Sequence, residues 1–175
     1  MSEPKHHSAV HYSWLLILPV WALALTILTG SEDRLTEPAL ELLLNYGAVL
    51  LAFCGAAHWG LAAANYGGTA ALGMRYTLGI IPMLLAFGAL LLPDFQGMSF
   101  LCGGFLAALA IDYHLTARGF APLWYRRMQS FLTWGVIIAL GLVTWYLQGD
   151  QSSPLFGDAV GLKQIIGGAN DNAGP

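Results

Sequence analysis

The chain has 175 residues, 57% of them hydrophobic and 10% charged, with a net charge of −3. Soluble domains run at roughly 45–50% apolar and about 25% charged residues, so composition argues against a soluble globular domain, and equally against disorder, which needs few apolar residues and much charge. Two cysteines cannot build a disulfide framework or a four-thiolate zinc site, and seven basic residues under a negative net charge argue against a nucleic-acid partner.

Composition therefore predicts a small polytopic membrane protein. Five stretches have the roughly 17–25 mostly apolar residues of a bilayer crossing. They are about 13–29, 40–64, 76–92, 99–117 and 131–147. None alternates with period two, and in lipid a helix satisfies its own backbone, so helices are expected rather than barrel strands. The expected fold class is all-α, a bundle of five transmembrane helices over residues 13–148. An N-terminal tail, 1–12, precedes it, and a mostly irregular C-terminal tail, 149–175, follows it. That tail is rich in Gly, Asp, Asn, Ser and Pro, with at most a short helix near Val160–Ile166. Short connections predict antiparallel neighbours.

The first segment contains Trp14, Pro19 and Trp21 and lacks a small-residue cleavage site, so it reads as a span rather than a cleaved signal peptide. No internal repeat supports an inverted-repeat transporter. His6, His7 and His11 read as a solvated tract rather than a metal site.

The second segment carries Ala48, Ala52, Ala56 and Gly60 at steps of four. Small residues mark helix interfaces in lipid, so this row is expected to pack, with Leu43, Leu50, Phe53 and Leu61 facing lipid. Pro82 is expected to kink the third segment. The fourth carries Gly104, Ala108 and Asp112 at steps of four, with Gly103 and Ala107 beside them, which predicts a central position. The stretch RGFAPLWYRRMQS, 118–130, is expected to be an interfacial loop. Its residues Arg118, Pro122, Trp124, Tyr125, Arg126 and Arg127 suit anchoring on anionic headgroups, or docking of a partner.

Five spans place Lys5, Arg75, Arg118, Arg126 and Arg127 on one side and only Arg34 and Lys163 on the other. The positive-inside bias predicts the N-terminus inside and the C-terminus outside. Trp14, Trp124, Tyr125 and Tyr146 at segment ends suit aromatic belts.

His58, Asp112 and His114 lie within predicted spans, and Arg75 opens the third. Ionisable residues at membrane depth face a bundle or a wet cavity and pair with one another. A cluster of His58, Arg75, Asp112 and His114 is the candidate site. One reading is a buried ion pair that fixes helix register. The other is a polar pocket for an anion, a proton or a small headgroup. Haem on His58 and His114, which lie at unequal depths with no second pair, and a metal on Cys54 and His58, which offers just two ligands, are the weakest readings. No metal or cofactor is assigned. No phosphate-binding loop, dinucleotide fingerprint, nucleophile elbow or zinc-protease motif is present.

The segment 45–62, NYGAVLLAFCGAAHWGLA, resembles the hallmark of the transmembrane protein 69-like family, domain of unknown function 3429. The matching residues are Tyr46, Phe53, Gly55, Ala56, His58, Trp59 and Gly60. Arg75 and Pro82 resemble the family's third helix, and Asp112 and Pro122–Trp124–Tyr125–Arg127 its later motifs. The resemblance covers about 13–147 and implies a small bacterial or mitochondrial inner-membrane protein, without an implied activity.

The expected function is non-enzymatic: an accessory or assembly component of a membrane complex, with membrane lipids and a membrane protein as partners. The alternative is a channel, transporter or small-ligand or proton-binding protein. There, Arg75 would hold an anionic group while His58 and Asp112 relay a proton. An enzyme acting on a lipid or quinone is a third, weaker reading.

Overall fold

The computed structural model describes residues 7–30 and 33–151. They form α1 (His7–Thr29), α2 (Asp33–Ala63), α3 (Leu72–Leu90), α4 (Asp94–Ala117) and α5 (Leu123–Gln151). Among the described residues there is no strand, so the all-α expectation holds. Four helices are long and apolar enough to cross a membrane, and α1 contributes a shorter apolar stretch, Trp14–Thr29. The shortest of the four has 19 residues, roughly 28 Å at the helical rise per residue, close to a hydrocarbon core of about 30 Å. Large apolar side chains such as Leu18, Val49, Leu84, Phe87, Ile138 and Trp145 point outward, as insertion in lipid allows. His6, the side chains of His7 and His11, and the chain after 151 with its expected short helix lie outside the described residues.

The helices outlast the apolar runs. Hydropathy marks where lipid contact ends; a helix ends where its hydrogen-bond ladder does. α2 begins at Asp33 rather than near Leu40, and α5 at Leu123 rather than Phe131. The expected interfacial loop is therefore corrected. Only Arg118–Pro122 connects α4 to α5, while Trp124, Tyr125, Arg126 and Arg127 occupy the first turns of α5. Pro122 is the physical reason: its fixed φ and missing N–H suit a helix start, and its carbonyl accepts the Arg126 N–H. Tyr125 is also buried, so it belongs to the core and not to an aromatic belt.

Neighbours in sequence pack on one another, and α5 returns against α1, so the five helices close into a ring. Across that ring α2 also touches α4. The central position expected of α4 is therefore shared with α2. One end of the bundle holds the α2–α3 and α4–α5 connections, where Gly67 sits directly against the Gly119 carbonyl. Both glycines have positive φ, 74° and 76°, which a side chain would strain. This is the basic end, with Arg75, Arg118, Arg126 and Arg127. The other end carries Glu37, Glu41 and Asp94 and is the acidic end.

The packing row on α2 is half right. Ala48 is buried and Ala52 partly so, but Ala56 and Gly60 are exposed. A row at steps of four winds around a helix by roughly 40° per step, so it leaves the interface after two turns. Leu43 and Leu50, expected to face lipid, are buried in the core, whereas Phe53 is exposed as expected. The close contact runs through Gly55, where a Cβ would land on the Gly79 carbonyl of α3. On α4, Gly104 and Ala108 pack as expected: both are buried, and a Cβ on Gly104 would meet Leu51 Cδ2 at 2.6 Å. α3 runs unbroken through Pro82.

Candidate functional site

Asp112 lies on the buried seam of α4, one and two turns after Ala108 and Gly104. Those small residues bring α4 close to α2. His58 then meets it: His58 Nε2 is 2.6 Å from Asp112 Oδ1, and both side chains are fully buried. Each residue stands five positions before the end of its helix (63 − 58 and 117 − 112), so the pair sits roughly 7–8 Å inside the basic end.

One face of α5 lies beside the pair through Tyr125 and Gln129, and Thr133 continues it one turn further on. Tyr125, Gln129 and Thr133 recur at steps of four, and all three are buried. The Tyr125 ring stands edge-on to His58, with centroids 6.2 Å apart. Gln129 Nε2 donates to Cys54 Sγ on α2, one turn before His58. Five buried polar atoms of the pair and of this α5 row have no protein hydrogen-bond partner: His58 Nδ1, Asp112 Oδ2, Tyr125 Oη, Gln129 Oε1 and Thr133 Oγ1. Leaving such an atom unpaired costs about 1–3 kcal/mol. Five together are comparable to the whole stability of a typical domain, about 5–15 kcal/mol.

The expected four-residue cluster is thus reduced to two of its members. Arg75 is buried but directed elsewhere. Its Nη1 donates to the Gly68 carbonyl at 2.9 Å, and its Nη2 to the carbonyls of Leu61 and Tyr66 at 3.1 and 2.8 Å. The guanidinium also stacks over Phe120, 4.8 Å from the ring centroid. Arg75 closes the end of α2 and ties the α2–α3 connection to the α4–α5 connection. The physical reason is local: helix C-terminal carbonyls lack intrahelical partners, and a planar multi-donor cation satisfies several at once. His114 is exposed, two residues beyond Asp112 and so on another face of α4.

Cys54, Tyr125, Gln129 and Thr133 were not assigned to this cluster from sequence. Starting α5 at Phe131 hides the signal; with Leu123 as the start, Tyr125, Gln129 and Thr133 form one polar row on an otherwise apolar face. Among the described residues no three His, Cys, Asp or Glu side chains are arranged to hold a metal ion. A histidine and a carboxylate in contact, each with one free polar atom, are suited to take up, hold and release a proton.

Of the residues in the expected family motif, His58 enters this cluster and Gly55 forms the α2–α3 contact. The motif's Trp59 lies partly exposed and donates its Nε1–H to the Tyr76 carbonyl at 3.1 Å, and Tyr46 Oη donates to the Leu16 carbonyl at 3.1 Å. The family described as Protein of unknown function (DUF3429) matches residues 6–145, a stretch that contains every residue of the buried polar layer. The match carries the family number expected from the His58–Trp59–Gly60 block, and not the transmembrane protein 69-like name. No curated protein and no solved structure matches the chain.

Proposed function

The chain belongs to the family of proteins of unknown function DUF3429, and from that premise we propose a non-enzymatic integral inner-membrane protein whose working centre is a proton-binding His58–Asp112 pair. The observation that carries the reading is the 2.6 Å contact between two fully buried ionisable groups, each keeping one unpaired polar atom. Ionisable pairs at membrane depth are costly, and such residues commonly mark proton or ion pathways. Arg75 is already bound to three carbonyls, so the centre takes a proton rather than an anion. The bias of arginine toward one end supports an orientation with that end, and the N-terminus, inside a bacterial or mitochondrial inner membrane.

The test is an infrared difference spectrum of the purified protein across a pH step. A protonated-carboxyl band is expected that disappears in Asp112→Asn and moves in His58→Gln. A spectrum without that band, or one unchanged in both variants, sinks the reading.

A second reading has its own observation. Ala56 and Gly60 face outward, and a Cβ on Gly60 would meet nothing within 4 Å. Small outward residues in lipid suit the close approach of another helix, which favours an accessory or assembly component that associates with a membrane-protein partner as well as lipid. Purification in mild detergent with native mass measurement tests it. A stoichiometric protein partner is expected; a lone protein, with every membrane complex intact after its loss, sinks this second reading.

A further inference from the structure

The apolar interior is divided. One large cluster fills the acidic end and the middle of the bundle, and Cys54 lies at its margin. A second, small cluster of Leu115, Ala121 and Tyr125 caps the basic end, with Phe120 packed on it. Gln129 is bonded to Cys54 of the first cluster, and His58 stands against Tyr125 of the second, so the polar side chains lie at the seam where the two clusters meet. The five polar atoms without a protein partner come from that seam and from the α5 row that lines it. Buried polar atoms that lack a protein partner are commonly satisfied by internal water making about three hydrogen bonds, so roughly two waters would suffice for five such atoms.

We infer that the seam is a binding site for internal water, which bridges His58 and Asp112 to the Tyr125–Gln129–Thr133 row and exchanges with bulk solvent through the basic end. The two ends differ in what covers the site. Toward the acidic end stand the fully buried Leu51, Phe105, Leu101 and Met98, with nothing polar among them. Toward the basic end stands the smaller second cluster, on which Leu61, Leu78, Ile111, Trp124 and Met128 pack beside Phe120. Its Phe120 is only partly buried and belongs to the short Arg118–Pro122 connection, held under the Arg75 guanidinium. The inference deepens the proton-binding reading by naming water as the proton's carrier and one end as its route. It rests on that reading only for what the water carries, because hydration is measured separately.

The experiment is hydroxyl-radical footprinting of the full chain in lipid nanodiscs, where a short radiolytic pulse oxidises side chains beside bound water even when they are buried. Modification of Cys54, His58 and Tyr125 is expected severalfold above that of Met98, which is intrinsically reactive but lies in the acidic-end cluster. Mixing into heavy-oxygen water before the pulse times the exchange. Phe120→Ala is expected to shorten the arrival of label at Tyr125 severalfold, and Phe105→Leu to leave it unchanged. Cys54, His58 and Tyr125 modified no more than Met98 overturns the site. Label hastened by Phe105→Leu but not by Phe120→Ala overturns the route. The first arm uses the unaltered protein, so a misfolded variant leaves it decisive. A hydrated seam in a protein whose infrared spectrum lacks the carboxyl band would reject the proton reading and keep the water site.

Discussion

The acidic-end half of the bundle and the basic-end half solve the same packing problem differently. In the first, α4 presents Met98, Leu101 and Phe105 to Leu43, Leu44 and Leu51 of α2, and the interior is continuous hydrocarbon. In the second, the same two helices present Asp112 and His58, α5 adds Tyr125, Gln129 and Thr133, and five polar atoms have no protein partner. Replacing a buried ion pair by hydrophobic residues is often neutral or stabilising, so apolar packing is a fair comparison for this layer. The contrast teaches that the two halves pack on different chemistry, and it makes the polar layer the first place to test the proposed proton-binding role.

The sharpest way to break this comparison is to unpair the dyad. Asp112→Ala leaves His58 buried without its partner and is expected to cost about 3–5 kcal/mol, read as a lost or much earlier unfolding transition in mixed micelles. The double variant His58→Leu with Asp112→Leu is expected to recover most of that stability while abolishing the infrared carboxyl band. A double variant as unstable as the single one would show that the pair sets helix register instead. Next comes the contact that both halves share. Gly55→Ala places a methyl on the Gly79 carbonyl and is expected to cost about 1–3 kcal/mol through overpacking, measured by the same unfolding assay. Arg75→Lys keeps the charge but not the planar fork that reaches three carbonyls. The expected loss is about 1–2 kcal/mol, with faster proteolysis in the α2–α3 connection as a second readout and no change in the carboxyl band. Smallest of all, Gly60→Ala meets open space and is expected to stay within about 0.5 kcal/mol in the isolated protein. Were the accessory reading right, that silent variant would still weaken recovery of the partner.

Much of the architecture was legible because lipid imposes it on composition. Helix number and type follow from apolar runs of the right length, since no other backbone satisfies itself in hydrocarbon. Asp112 and His58 stood out for the same reason: ionisable groups are rare at that depth. Helix ends were less legible, as Asp33 and Leu123 show, because hydropathy does not report where a hydrogen-bond ladder stops. Faces were legible only over short distances. Gly104, Ala108 and Asp112 stayed on one seam, while the row from Ala48 to Gly60 drifted out of its interface.

By itself, then, the sequence determined an all-helical bundle with apolar helices, and it put His58, Asp112 and His114 within the apolar spans with Arg75 at the start of the third. Only the tertiary structure decided which of the polar residues meet. His58 and Asp112 touch because α2 and α4 approach across the ring on small residues. Arg75 turns away because the Leu61 carbonyl near the end of α2 and the Tyr66 and Gly68 carbonyls of the connection take its donors. Tyr125 and Gln129 join because α5 starts two turns earlier than its apolar run, which continues their face to Thr133. Each outcome depends on the distance between helices far apart in sequence, a quantity that no residue's own hydropathy or spacing encodes.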